Sequence, residues 1–177
     1  MNQFKKINNE VFFTEKTITK IENDDIKFLK ANVKNTEKKR IRLCTHLSEE
    51  DKLQEMFILL SRETYIRPHK HLNKSESLHV QEGSADVVFF DDESNIIKII
   101  SLSDSSSKGC FYYRIDEPIY HTFIIKSDYF IFHETTLGPF KRADTIYAPW
   151  SPKETNFDKI GNFVSKLRKS VKVFLTK

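Results

Sequence analysis

The residues best suited to chemistry lie in one stretch, Tyr65-Ile66-Arg67-Pro68-His69-Lys70-His71-Leu72-Asn73-Lys74-Ser75-Glu76, which runs on to Gly83. Its skeleton is H-x-H-x4-E-x6-G. Histidines two apart on a strand project to the same face, so His69 and His71 can reach one divalent ion. A short turn, Leu72 to Ser75, returns Glu76 on the adjacent strand as an oxygen donor. A fourth donor has to come from elsewhere. His121, inside the alternating Tyr120-His121-Thr122-Phe123, is the best placed. Three imidazoles and a carboxylate leave positions open on a five- or six-coordinate ion, which suits chemistry on a bound ligand. Zinc, manganese, iron and nickel all accept such donors, so the expected cofactor is one divalent transition metal ion of unspecified identity.

Strand parity adds neighbours. Tyr65 and Arg67 fall on the face of His69 and His71. Arg67 then serves either as a bidentate partner for a carboxylate or phosphate or in a structural ion pair with Glu134 or Asp86. Tyr65 is a general acid or a packed ring. Lys70 and Lys74 flank the motif and either draw an anion to the mouth or are solvated. His46 shares a strand face with Arg42 and Cys44, as a base or substrate contact near the metal or as a satisfied strand histidine. His79 has the wrong parity for the site. One of His133 and Glu134 must face inward, and parity alone does not say which. Cys110 has no base in view.

The elements that must position these residues read as strands. Between Lys52 and about Phe140, apolar alternation recurs every 8–12 residues with turn signals between, the pattern of a sandwich or barrel. Thr64 to His71 reads as one of these strands. Asp24-Asp25 opens a helix through Val33, with acids suited to its N-terminus. A second helix runs from about Asn156 to Phe174, with Phe157, Ile160, Phe163, Val164, Leu167, Val171 and Phe174 on one stripe. It packs on the barrel or in a dimer contact, or acts as a basic surface helix. The chain has 177 residues, 38% apolar, with 29 basic and 25 acidic side chains and a formal net charge of +4. That supports one core, organised as an N-terminal extension (1–40), a β unit (41–150) and a C-terminal helix (151–177). The basic residues are dispersed and no helix-turn-helix or RNP motif occurs, so nucleic acid is not expected as a partner. Four glycines leave no room for a P-loop or GxGxxG fingerprint. No run reaches the ~18 apolar residues of a membrane span. The start of the chain lacks the apolar stretch of a signal peptide, and two cysteines without a CxxC pair read as reduced thiols; a cytoplasmic location is expected.

His69 through Gly83 resembles the first cupin motif, except that Glu63 stands where that motif begins with glycine. The second motif is matched at His121, while Asp116 and Pro118 replace its usual proline and glycine and Ile125 its terminal asparagine. Arg42-Leu43-Cys44-Thr45-His46, the segment Tyr65 to His71, Tyr120-His121-Thr122 and Ala148-Pro149-Trp150 resemble the WbuC-type cupin-fold metalloproteins, over about Asp25 to Pro152. The resemblance implies an all-β, cupin-type jelly-roll β-barrel, here with an N-terminal helix and a C-terminal amphipathic helix. It also implies a metal held by His69, His71, Glu76 and His121. WbuC-type proteins are associated with surface-polysaccharide (O-antigen) gene clusters, and their reaction is not established.

The resulting expectation is a metal-dependent isomerase or epimerase acting on a sugar or nucleotide-sugar, with His46 or Tyr65 moving the proton and Arg67 and Lys70 holding an anionic or sugar-like ligand. The alternatives are a metal-dependent oxygenase and a non-catalytic ligand-binding cupin. A homodimer is expected from the fold's frequent pairing.

Overall fold

Glu76-Ser77-Leu78-His79-Val80 shows how the scaffold is built: Glu76, Leu78 and Val80 are buried, while His79 is exposed. Alternation of this kind makes a sheet with one face toward the core. The computed structural model describes residues 2–176. The outermost residues of the two expected terminal segments, 1 and 177, lie outside the described residues. In chain order the elements are β1 (Phe4–Lys6), β2 (Val11–Thr14), helix α1 (Asn23–Asn32), β3 (Arg40–Cys44), β4 (Leu53–Ser61), β5 (His69–His71), β6 (Glu76–Glu82), β7 (Ser84–Phe90), β8 (Ile96–Ser103), β9 (Tyr112–Ile115), β10 (Tyr120–Ile125), β11 (Tyr129–Leu137), β12 (Thr145–Tyr147) and helix α2 (Phe157–Leu175).

The strands form two sheets. The larger has the order β1-β2-β3-β4-β11-β6-β9 and the smaller β12-β5-β10-β7-β8. Their inner faces share a core that includes Leu60, Leu78, Val80, Val87, Phe123, Phe130 and Phe132. The outer face of the large sheet is covered by α1 and the turn that follows it, where Leu29 and Val33 pack on Ile41, Leu43, Leu59 and Ile131. The outer face of the small sheet is covered by α2, where Leu167 and Val171 pack on Val88, Phe90 and Ile124. Each helix therefore buries an apolar stripe against a sheet that has a second core behind it. No helix among the described residues is long and apolar enough to cross a membrane.

Two departures from the sequence pattern matter for the site. Thr64 to Pro68 is not a strand; β5 begins only at His69. Pro68 has no N–H to give to a ladder. The stretch is instead held by Thr122, whose hydroxyl donates to the Ile66 carbonyl at 2.5 Å, and by Ala148, whose N–H donates to the Pro68 carbonyl at 2.8 Å. The first forty residues also hold more than a helix: β2 pairs parallel to β3, placing Val11 beside Arg42 and Phe13 beside Cys44.

Candidate metal centre

The donors come from three strands. His69 lies opposite His121 in the β5–β10 pairing, and His71 opposite Thr145 in the β5–β12 pairing. Glu76 opens β6 in the facing sheet. One ring nitrogen from each of His69, His71 and His121 falls within 4.8 Å of the others. Glu76 completes the group: its Oε2 is 3.3 Å from His71 Nε2 and its Oε1 3.7 Å from His121 Nε2.

The far side of each ring decides what these nitrogens can do. His69 Nδ1 donates to the Arg67 carbonyl at 2.8 Å, and His121 Nδ1 to the Ile119 carbonyl at 3.0 Å. A carbonyl only accepts, so both rings carry their proton on Nδ1 and keep a lone pair on Nε2. His71 Nδ1 sits 3.2 Å from Thr145 Oγ1, which leaves its Nε2 toward Glu76. Burial drives the His69 pKa down to about 3, assisted by the neighbouring His121 and His71, and burial also lowers that of His121. For Glu76, burial pushes upward. The hydrogen bond from His71 and the charges of His121, His71 and His69 outweigh it, and the carboxyl falls to about 2. His69 and His121 held toward the neutral form beside a Glu76 held toward the ionised form are in the states that ligate metal, so the donor set fits a divalent ion.

This cluster lines a cavity of about 300 Å³ between the sheets. The cross-strand registers define its other wall. Glu76, Thr136 and Gln54 form one inward row of the large sheet, then Leu78, Glu134, Met56 and Cys44, then Val80, Phe132, Ile58 and Arg42. Glu134, not His133, faces the cavity. His133 turns outward, 3.6 Å from Glu55 and tilted against Phe57. Glu134 stands diagonal to Glu76 on the neighbouring strand. Its burial, and then the charge of Glu76, raise its pKa to about 8 against the opposing pull of Arg42.

The remaining expected site residues separate. His46 lines the cavity, buried, with Nδ1 3.0 Å from both the backbone nitrogen and the carbonyl oxygen of Glu55; burial lowers its pKa. Arg67 also lines the cavity. Nε donates to Ser151 Oγ at 3.0 Å and Nη2 to the Ala148 carbonyl at 3.1 Å, so the ion pair expected with Glu134 or Asp86 is not the contact it makes. Asp86 instead pairs with Lys126. Tyr65 is not brought to the cavity: its hydroxyl donates to the Pro152 carbonyl at 3.0 Å and its ring meets the edge of Phe163. The parity that placed it with the histidines fails because residues 64–68 are not a strand. Lys70 is turned away too, 2.6 Å from Asp92 and over the Tyr120 ring. Both cysteines are free thiols. Cys44 faces the cavity, its pKa raised to about 11 by burial, and is an inert wall at neutral pH. Parity to Phe130 and Phe132 was the available signal for Glu134, once those two rings were known to be inside.

A family model described as a domain of unknown function, DUF6016, matches residues 21–102. No curated protein matches the chain. Among solved structures, a protein of Shewanella oneidensis is 15% identical with a TM-score of 0.52, covering 73% of this chain and 85% of its own. L-ribose isomerase from Cellulomonas parahominis is 11% identical with a TM-score of 0.51, covering 63% and 70%. A sugar phosphate isomerase from a cupin superfamily, from Silicibacter pomeroyi, is 16% identical with a TM-score of 0.39, covering 50% and 52%. The chain spans 21% of procruciferin from Brassica napus, a longer protein with which half of this chain aligns (16% identity, TM-score 0.42). Likeness at these identities is likeness of fold. The two facing sheets are the fold shared with the Shewanella protein and the L-ribose isomerase, and they match the β architecture that the histidine and glutamate motifs imply.

Proposed function

We propose that this chain is a metal-dependent enzyme of the isomerase or epimerase type, acting on a sugar-like small molecule. His69, His71, Glu76 and His121 would hold one divalent transition metal ion. The observation that carries this reading is the outward tethering of the imidazoles, which leaves Nε2 lone pairs converging with the Glu76 carboxylate at the wall of a cavity. An ion held by these residues would supply Lewis-acid polarisation of a carbonyl or an adjacent hydroxyl of the ligand. The chain's own residues supply the rest. Glu134, whose pKa near neutrality lets it give or take a proton, faces the same space as Glu76, and His46 is the second group able to do so. Ile58, Phe123 and Phe132 offer the ligand an apolar floor and exclude water from it. A volume of about 300 Å³ is at the lower end for small-molecule sites, which favours a monosaccharide over a nucleotide-sugar.

The resemblance to WbuC-type proteins supports a place in surface-polysaccharide biosynthesis. We take residues 41–150 as the unit that carries the site, and a cytoplasmic homodimer as the working state. A monomeric mass at micromolar concentration in sedimentation would remove the dimer.

The deciding experiment is elemental analysis of the protein without a His-tag, beside Glu76→Ala. One transition metal per chain, lost in the variant, is expected. Manganese, zinc or nickel directs the next assay to aldose–ketose interconversion, and iron to dioxygen consumption. Protein that holds no metal and cannot be reconstituted would overturn the reading and leave a ligand-binding barrel.

A further inference from the structure

The cations lining the cavity are not equivalent. Arg40 meets Glu154 at 3.3 Å and Glu10 at 3.7 Å. Arg67 is held by Ser151 and Ala148, and Lys74 by the Pro139 carbonyl at 3.0 Å. Arg142 is exposed. Arg42 differs: its Nε is buried and has no hydrogen-bond partner among the described residues. A buried guanidinium N–H without an acceptor is costly, and the planar fork suits a carboxylate or phosphate better than any other partner.

Its position gives the geometry of the ligand. Arg42 lies on β3 opposite Ile58 of β4; Ile58 lies opposite Phe132 of β11, and Phe132 opposite Val80 of β6. Strand β3 is thus three strand spacings, about 14 Å along the sheet, from the strand that presents Glu76. The interval between these two backbones is bridged partly by the Arg42 side chain and partly by the ligand. A monosaccharide with a terminal anionic group spans the interval, over the apolar floor of Ile58 and Phe132 and past Glu134.

We propose that Arg42 anchors a carboxylate or phosphate at the end of the ligand remote from the histidine cluster, so that the cavity takes a sugar acid or sugar phosphate and discriminates against the neutral sugar. This rests on the reading of the cavity as a metal-dependent sugar site, and it moves anion recognition from Arg67 to Arg42.

The test is calorimetric titration with two matched probe pairs, ribose 5-phosphate against ribose and gluconate against glucose, on zinc-loaded and EDTA-treated protein. At least one anionic probe should bind ten times or more as tightly as its neutral partner, and the pair that discriminates identifies the anion as phosphate or carboxylate. Arg42→Gln should lose about tenfold or more for that probe, as expected for a hydrogen-bonded charge, with metal content unchanged. Arg42→Lys, which keeps charge without the fork, should lose less. In the wild type, the Arg42 Nε–H resonance should shift with the anionic probe and not with the neutral one, a readout that needs no variant to fold. Equal binding of anionic and neutral probes by metal-loaded protein would overturn the proposal and leave the metal centre standing. Arg42-dependent binding by protein that takes up no metal would sink the metal reading and leave Arg42 as the anion anchor.

Discussion

At the scale of single residues, the site is a set of protonation states imposed by neighbours. Glu76 and Glu134 are the same side chain on adjacent strands, yet one is driven to about 2 and the other to about 8. The difference lies in what each faces: three imidazoles for Glu76, and the negative charge of Glu76 itself for Glu134. The ordinary value of 4.5 applies to both when unfolded. Between pH 4.5 and 8 the folded state therefore holds a proton on Glu134 that the unfolded state has released, and stability falls as pH rises. Glu76 and His69 act with the opposite sign on the acid side, losing stability as pH falls toward 2 and 3. In EDTA-treated protein, Tm should drop more between pH 5 and 9 in the wild type than in Glu134→Gln, read by scanning calorimetry. Parallel profiles would show that Glu134 is ionised throughout. The metal donors carry their own test: His71→Ala and His121→Ala should each abolish stoichiometric metal and keep the β-sheet circular dichroism signal. Full metal occupancy in either variant would remove that residue from the donor set.

Elements set which of these residues meet, and here the sequence is legible only where alternation is long enough to show. The seven-residue β6 and the six-residue β10 alternate cleanly or are wholly buried, and Glu76 and His121 follow from them. The three- and four-residue strands β1, β2 and β12 offer too little period to read, although β12 supplies Thr145 behind His71 and β2 flanks Arg42. Tyr65 falls outside the site for a related reason. Side-chain parity holds only inside a strand, and β5 is three residues long and begins after Tyr65. Arg67 does reach the cavity, but its partners lie at 148 and 151, too distant in sequence for local pattern to reveal. The turn between β6 and β7 is more explicit. Gly83 has φ +85, and a Cβ there would sit 2.1 Å from the Tyr129 carbonyl oxygen. Gly83→Ala therefore combines left-handed backbone strain with a backbone clash, and should cost about 3 kcal/mol or more, roughly 6–12 °C in Tm. An unchanged Tm would mean that the turn relaxes without disturbing the strand that carries Glu76.

For the whole molecule, the question is whether the metal centre holds the fold or the fold holds the centre. His69, His71 and His121 sit in a sheet covered on its outer face by α2, and Glu76 in a sheet covered on its outer face by α1. Between the two sheets lies an apolar core that includes Phe130, Phe132, Leu78 and Val87, none of which ligates. Two of the donors, His69 and His121, are also anchored from behind by the Arg67 and Ile119 carbonyls. An ion that binds the native state alone stabilises it by mass action, about 4 kcal/mol at a thousand times its dissociation constant. For a chain of this size that is a Tm increase of roughly 8–16 °C. EDTA-treated protein should therefore keep its far- and near-ultraviolet circular dichroism at room temperature and melt at a lower temperature. Adding zinc or manganese should restore the difference in wild type and leave Glu76→Ala unmoved. Loss of near-ultraviolet signal on chelation would assign the ion a structural role.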